Sequence, residues 1–276
     1  AALAFGAGPQ VLAYAHAKAV YLIVDVLLII WTAFLLFRVV DEAGAVDTLG
    51  ESLPHLTSDR GMQALIIGWA FAAFLQGVGG FGVPVAVIAP ILAGLGFPAL
   101  SAVVIPSLGH SWAVTFGSLG SSFNALMAAT GLTWDVLAAP AALFLGLAGL
   151  AAGLMVAHAA GGWDGLRRLL LPVLIMGSAM GLGQFIAATG GLWNIGGFIA
   201  GMVGLGVGFP VARRFRGREV QEGEVDCRSL LVALSGYGIL ILLTLAVQLV
   251  PAVGDTLGEF VLGREFPETR TSLGFI

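Results

Sequence analysis

Residues 77–123 are apolar enough to lie in a membrane, yet Gly, Pro and small hydroxyl residues interrupt their backbone repeatedly. The stretch opens Gly77-Val78-Gly79-Gly80-Phe81-Gly82-Val83-Pro84 and ends Gly109-His110-Ser111-Trp112-Ala113-Val114-Thr115-Phe116-Gly117-Ser118-Leu119-Gly120-Ser121-Ser122-Phe123. In hydrocarbon every peptide N–H and C=O needs an internal partner, so irregular backbone survives only inside protein or beside a water-filled cavity. A chamber lined by free peptide dipoles and hydroxyls is what a solute-binding site requires.

Composition sets this stretch in a membrane protein. Of 276 residues, 58% are hydrophobic and 10% charged, against about 25% charged in soluble domains. Mean hydropathy is +0.99. Glycine, 41 residues, is about twice its usual ~7% share and lets helices approach closely or break. A net charge of −4 argues against a nucleic-acid partner. The single Cys227 excludes a disulfide framework. The expected class is an all-α, multi-pass membrane protein with broken or re-entrant helices, forming one transmembrane domain over residues 1–276.

Residues 19–37 lie between Lys18 and Arg38 and approach the ~20 residues needed to cross a bilayer. Asp25 interrupts them, either as a bundle-facing hydrogen-bonding group or as an ion-coupling group. In the polar segment that follows, Val46, Leu49, Leu53 and Leu56 recur at helical spacing and suggest a surface helix. Asp59 reads as the N-cap of the next helix. Residues 62–76, 83–97 and 99–108 are short pieces, as in broken helices or a re-entrant hairpin. Residues 136–158, 169–189, 192–212 and 229–250 read as regular spans. The pairs Gly149/Gly153, Gly177/Gly181 and Gly197/Gly201 suit close helix packing. Arg213, Arg214, Arg216, Arg218 and Arg228 mark residues 213–228 as a cytoplasmic loop, and Arg167 and Arg168 fall on the same side.

Between Arg60 and Arg167 there is no Lys or Arg, and the only acids are Asp135 and Asp164, both at loop positions. An anion bound in residues 77–123 must therefore be met by helix N-termini, backbone N–H groups and hydroxyls. Ser107, Ser111, Thr115, Ser118, Ser121 and Ser122 supply hydroxyls; Asn124 and Gln76 supply amides. Such a site suits a small, singly charged solute. Histidine titrates near neutrality, which makes His110 a candidate carrier of a coupling proton as well as a candidate structural residue.

The run from Asp59-Arg60 through Phe74-Leu75-Gln76-Gly77-Val78-Gly79-Gly80-Phe81-Gly82-Val83-Pro84-Val85-Ala86, followed by Leu95-Gly96-Phe97 and Phe116-Gly117-Ser118-Leu119-Gly120, resembles the L-lactate permease family. The resemblance covers roughly residues 19–250 and is strongest over 59–122. It implies a secondary carrier of small 2-hydroxy monocarboxylates, lactate and glycolate among them, working as an ion symporter in the plasma membrane with H⁺ or Na⁺ and no other cofactor. Together with the hydroxyl-rich run read above, it points to a substrate-binding set of Gln76, Gly77, Gly80, Phe81, Gly82, Pro84, His110, Ser111, Thr115, Gly117, Ser118, Gly120, Ser121 and Ser122; His110 and Asp25 are the ion-coupling candidates. The chain departs from the family in having Gln76 where Glu is usual, and Gly120-Ser121-Ser122-Phe123 where Gly-Thr-Pro is usual. It looks like the N-terminal half of family members and is expected to be half of an inverted-repeat carrier.

Broken helices also line channels, and a non-transporting membrane subunit is a further alternative. An enzyme is disfavoured: His16, His55, His110 and His158 are scattered, with no H-E-x-x-H and no paired carboxylates.

Overall fold

The computed structural model describes residues 8–44, 48, 57–80 and 82–214, with positions 235, 239, 242, 243, 246, 250 and 256 singly. The expected surface helix around Val46–Leu56, Phe81, the loop beyond Arg214 with Arg216, Arg218, Cys227 and Arg228, and most of the 229–250 span lie outside the described residues. Among those described, the protein is an all-α polytopic membrane protein.

Helix α1 is Pro9–Glu42, longer than the expected 19–37 span, and presents Val20, Ile23, Leu28, Trp31 and Leu35 outward. Asp25 lies on it, but its side chain is outside what the structure describes.

The centre of the bundle is α2, Arg60–Val78. Its start is as the sequence indicates: Asp59 caps it, accepting from the Met62 N–H at 2.9 Å. Its length is not. Residues 62–76 alone read as too short to span, whereas the helix takes in Arg60, Gly77 and Val78 and is 19 residues long. It is also buried all round, so it needs no polar face. Within it, Ile66–Phe71 widen into a π-helical turn. There Gly68 receives Ile105, and Gly109 presses on the Gly68 carbonyl.

Helix α2 stops at glycine. Gly80 adopts φ +56° and its N–H reaches back to the Leu75 carbonyl at 3.4 Å, a left-handed C-terminal cap that side chains disfavour. The chain then reverses into α3, Val83–Gly94, and returns as α4, Ala99–Ser111. The tip of this hairpin meets the start of α2, where Arg60 Nη1 donates to the Gly96 carbonyl at 3.2 Å. The hairpin begins where α2 breaks, whereas the end of α4 packs lower down, with Gly109 against Gly68 and Trp69.

An irregular passage, 112–117, and a 3₁₀ turn, Ser118–Gly120, lead into α5, Ser121–Thr130. Helix α6, Trp134–Thr189, folds back on itself at Gly161 and Gly162, so it supplies the two expected spans as rods 134–160 and 163–189. Gly146 of one rod meets Gly181 of the other, with an added Cβ on Gly146 lying 3.5 Å from Gly181 Cα. After a 3₁₀ turn, Trp193–Ile195, helix α7 runs Gly196–Arg213.

Close glycine contacts fix the register. Helix α7 lies antiparallel to α2: Gly77 abuts the Phe198 backbone, Gly201 the Phe74 backbone, and Gly208 approaches Ile66 Cγ1. The second rod of α6 runs parallel to α2, with Leu169 against Gly61 and Gly177 against Trp69. Each expected small-residue pair makes such contacts; Gly149 and Gly153 receive the rings of Trp112 and Trp69. Asp59 and Arg168 form an ion pair at 2.6 Å. Arg60, Arg167, Arg168, Arg213 and Arg214 therefore share one end of the bundle, the distribution that the positive-inside rule associates with a single membrane face.

Candidate substrate site

Three interruptions of the bundle meet in space. They are the α2–α3 break at 79–82, the α4–α5 passage at 112–120 and the α6–α7 turn at 190–195. Gly80 presses against the Ser118 hydroxyl. An added Cβ on Gly117 would lie 2.8 Å from the Gln76 carbonyl oxygen and 2.9 Å from Gln76 Nε2. One on Gly120 would lie 2.7 Å from the Trp193 ring and 2.9 Å from Asn194 Cα. The Gly197 N–H donates to the Phe116 carbonyl at 3.0 Å, tying α7 to the same passage. By the α2 register, this junction sits 16 residues, about 24 Å, from the arginine-rich end.

The passage is held under strain. Ser118 and Leu119 have φ of +48° and +54°, followed by Gly120 at +77°. Left-handed backbone costs about 1–2 kcal/mol for each non-glycine residue, and such strain clusters at ligand sites. Phe116, Phe123 and Trp193 pack as tilted rings around the turn, at centroid separations of 4.9 Å and 5.4 Å, and brace it.

Buried polar atoms without partners gather here. Gln76 Oε1, Ser121 Oγ, Asn194 Oδ1 and both amide atoms of Gln184 make no hydrogen bond. Gln76, Ser121 and Gln184 are buried, at 3%, 1% and 0% exposure. Each such atom costs about 1–3 kcal/mol if left unsatisfied. The segments forming it, 76–84, 112–124 and 184–198, carry no Lys, Arg, Asp or Glu. Helices α3, α5 and α7 all begin here and bring the positive ends of their dipoles.

The expected site residues separate into those the fold brings together and those it does not. Gln76, Gly77, Gly80, Gly117, Ser118, Gly120 and Ser121 line or brace the junction. Pro84 is buried in the first turn of α3, and Gly82 caps that helix with φ +92°. Thr115 is half-buried, and its carbonyl accepts from the Phe123 N–H at 3.1 Å. Ser111 is exposed and donates to the Leu108 carbonyl of its own helix; Ser122 is exposed too. His110 is half-buried, with Nδ1 2.6 Å from the Pro106 carbonyl one turn earlier. The N–H donors expected at helix starts are partly taken, since Ser121, Phe123, Gly196 and Gly197 each donate to a carbonyl of a neighbouring turn. Side-chain amides and the Ser121 hydroxyl are the groups left open.

Sequence reasoning missed Gln184 and Asn194. Gln184 lies in a span that reads as regular, and Asn194 in a turn. The available signal was a lone amide in the apolar run Met180-Gly181-Leu182-Gly183-Gln184-Phe185-Ile186. A separate cavity of about 320 Å³ opens between the two rods of α6, lined by Leu143, Gly146, Leu147, Gly181 and Phe185 among others. Its lining is apolar and includes no junction residue apart from Phe185.

A family model described as L-lactate permease matches residues 3–259. The L-lactate permease of Bacillus subtilis (strain 168) is 40% identical over 100 residues, 36% of this chain and 18% of that protein. The L-lactate permease of Escherichia coli (strain K12) is 38% identical over 90 residues, 33% of this chain and 16% of that protein. Glycolate permease GlcA of the same organism is 28% identical over 161 residues, 58% of this chain and 29% of that protein. The aligned stretches thus span less than a third of these relatives' own lengths. No solved structure matches.

Proposed function

This chain belongs to the L-lactate permease family, and from that membership and the chemistry of the junction we propose that it carries small 2-hydroxy monocarboxylates, of the lactate and glycolate kind, across the plasma membrane. One observation carries the reading. Unpartnered polar side chains, buried and uncharged, converge where three interrupted helices meet. A single carboxylate matches such a site: helix dipoles offset one negative charge, and hydroxyl and amide donors replace its hydration. A dianion would be left under-neutralised.

The proposal is transport by a carrier rather than catalysis or passive conduction. Ion coupling belongs to it as well. With a neutral Gln76, the junction's own side chains exchange no proton, so a proton-coupled cycle runs through His110 or Asp25, and a Na⁺-coupled one through neutral oxygens. Uptake of radiolabelled L-lactate into proteoliposomes containing the full-length gene product tests the reading. Saturable uptake with counterflow supports it; flux that rises linearly without limit and shows no counterflow contradicts it.

A further inference from the structure

We propose that Gln184, on the second rod of α6, reads the 2-hydroxyl group of the substrate and so sets the preference for 2-hydroxy acids over plain monocarboxylates. The inference rests on the carrier reading and names a residue that the sequence motifs do not.

Gln184 differs from the other open groups. It is fully buried, and both its amide nitrogen and its amide oxygen lack partners. At Gln76 and Asn194 the unpartnered buried atom is the oxygen alone. Exchanging the oxygen and nitrogen assignment of a terminal amide therefore leaves the conclusion at Gln184 unchanged: one donor group and one acceptor both await a ligand. A carboxylate only accepts and would leave the Gln184 oxygen unmet. A hydroxyl both donates and accepts, and it satisfies both ends of the amide.

Position agrees with chemistry. Contacts between α2 and the second rod, Gly61 with Leu169 and Trp69 with Gly177, share an offset of 108 residues. The same offset sets Gln184 level with Gln76. An added Cβ on Gly196 would lie 3.9 Å from Gln184 Cγ and 3.3 Å from Phe116 Cβ, and Phe116 adjoins Gly117, which abuts Gln76. Gln184 thus borders the junction beside Gly196 and Phe116. The carboxylate then takes the Ser121 hydroxyl, near the positive ends of the helix dipoles, and the hydroxyl turns toward Gln184. A site built to bond a hydroxyl discriminates strongly against the analogue lacking it, because its polar groups stay unpaired.

The experiment measures inhibition of radiolabelled L-lactate uptake by unlabelled lactate, glycolate, propionate and acetate, in proteoliposomes of the full-length protein and of Gln184→Leu and Gln184→Met. In the unsubstituted protein, lactate and glycolate are expected to compete at least about tenfold better than propionate and acetate, the ratio corresponding to one buried hydrogen-bonded group. Both variants should lose most of that ratio through weaker 2-hydroxy acid binding, with propionate binding retained. Uptake by the unsubstituted protein with no preference for 2-hydroxy acids overturns the inference and leaves the carrier reading intact. A ratio preserved in either folded variant overturns it too, since Gln184 then meets only water or structure. No uptake of any monocarboxylate by the unsubstituted protein overturns the carrier reading itself. Should Gln184→Leu fail to fold, the unbranched Gln184→Met and the preference of the unsubstituted protein decide the matter.

Discussion

Gly80 lies so close to Ser118 that a Cβ on Gly80 would occupy the position of the Ser118 hydroxyl. The contact joins the α2–α3 break to the strained turn before α5 and fixes the geometry of the junction. Gly80 also has φ +56°, so Gly80→Ala adds a left-handed penalty of about 1–2 kcal/mol to the overlap. The variant is expected to insert as a helical protein, by circular dichroism in detergent, and to lose most lactate uptake. Adding Ser118→Gly removes the overlap but not the backbone penalty, and should recover part of the uptake. A double variant no better than Gly80→Ala would show that the contact is not what fails.

The antiparallel crossing of α2 and α7 depends on bare backbone. Gly77 and Gly201 face the Phe198 and Phe74 backbones, whereas Gly206 on α7 has nothing within 4 Å of an added Cβ. Gly77→Ala and Gly201→Ala should each lower thermal stability in detergent by about 1–3 kcal/mol, the usual cost of overpacking. Gly206→Ala should leave the melting temperature unchanged or raise it, because alanine is the better helix former. Equal effects at all three positions would contradict the crossing.

At the opposite end, Asp59 does two things. It caps α2 and pairs with Arg168, whose side chain is 53% exposed. Loss of an N-cap costs about 1 kcal/mol, while an exposed ion pair contributes about 0–1 kcal/mol. Asp59→Ala should therefore destabilise more than Arg168→Ala, and neither should change the ranking of substrates. The reverse order, measured by thermal unfolding in detergent, would reject the division of roles.

Much of the architecture was legible in the sequence because membrane helices advertise themselves by length and apolarity, and breaks by Gly and Pro. The Asp59 cap, the hairpin reversal at 161–162 and the short helices α3 and α4 follow from such local signals. Two readings went differently for physical reasons. Helix α2 passes through Gly77 and Val78 because glycine is tolerated where a neighbouring backbone packs against it. Ser111 and Ser122 belong to the polar run in sequence, yet helical periodicity turns them outward. Gln184 was not legible: its importance depends on which rods lie parallel, and only long-range glycine contacts establish that.

Gln76 offers a test of coupling. It is buried beside Gly117 and carries no proton to exchange. Burial disfavours the charged form of a carboxyl. In Gln76→Glu the introduced group is neutral at low pH, where it can still donate to a carboxylate, and charged at high pH, where it repels one. Uptake by this variant should fall more steeply as pH rises than uptake by the unsubstituted protein. An unchanged pH profile would remove position 76 from the coupling argument. His110→Gln, assayed in parallel, reports on one of the two proton candidates, the other being Asp25.

The most direct measurement asks whether substrate occupies the junction. Ser121→Cys in the full-length protein, with Cys227 and any further cysteine replaced by serine, places one thiol there. Its modification rate by a water-soluble, membrane-impermeant thiol reagent is measured in proteoliposomes at increasing L-lactate. Slowing that saturates with lactate and is absent with sulfate is the result expected of a monocarboxylate site between α2, α5 and α7. Identical modification rates at every lactate concentration, in protein that still takes up lactate, would contradict it.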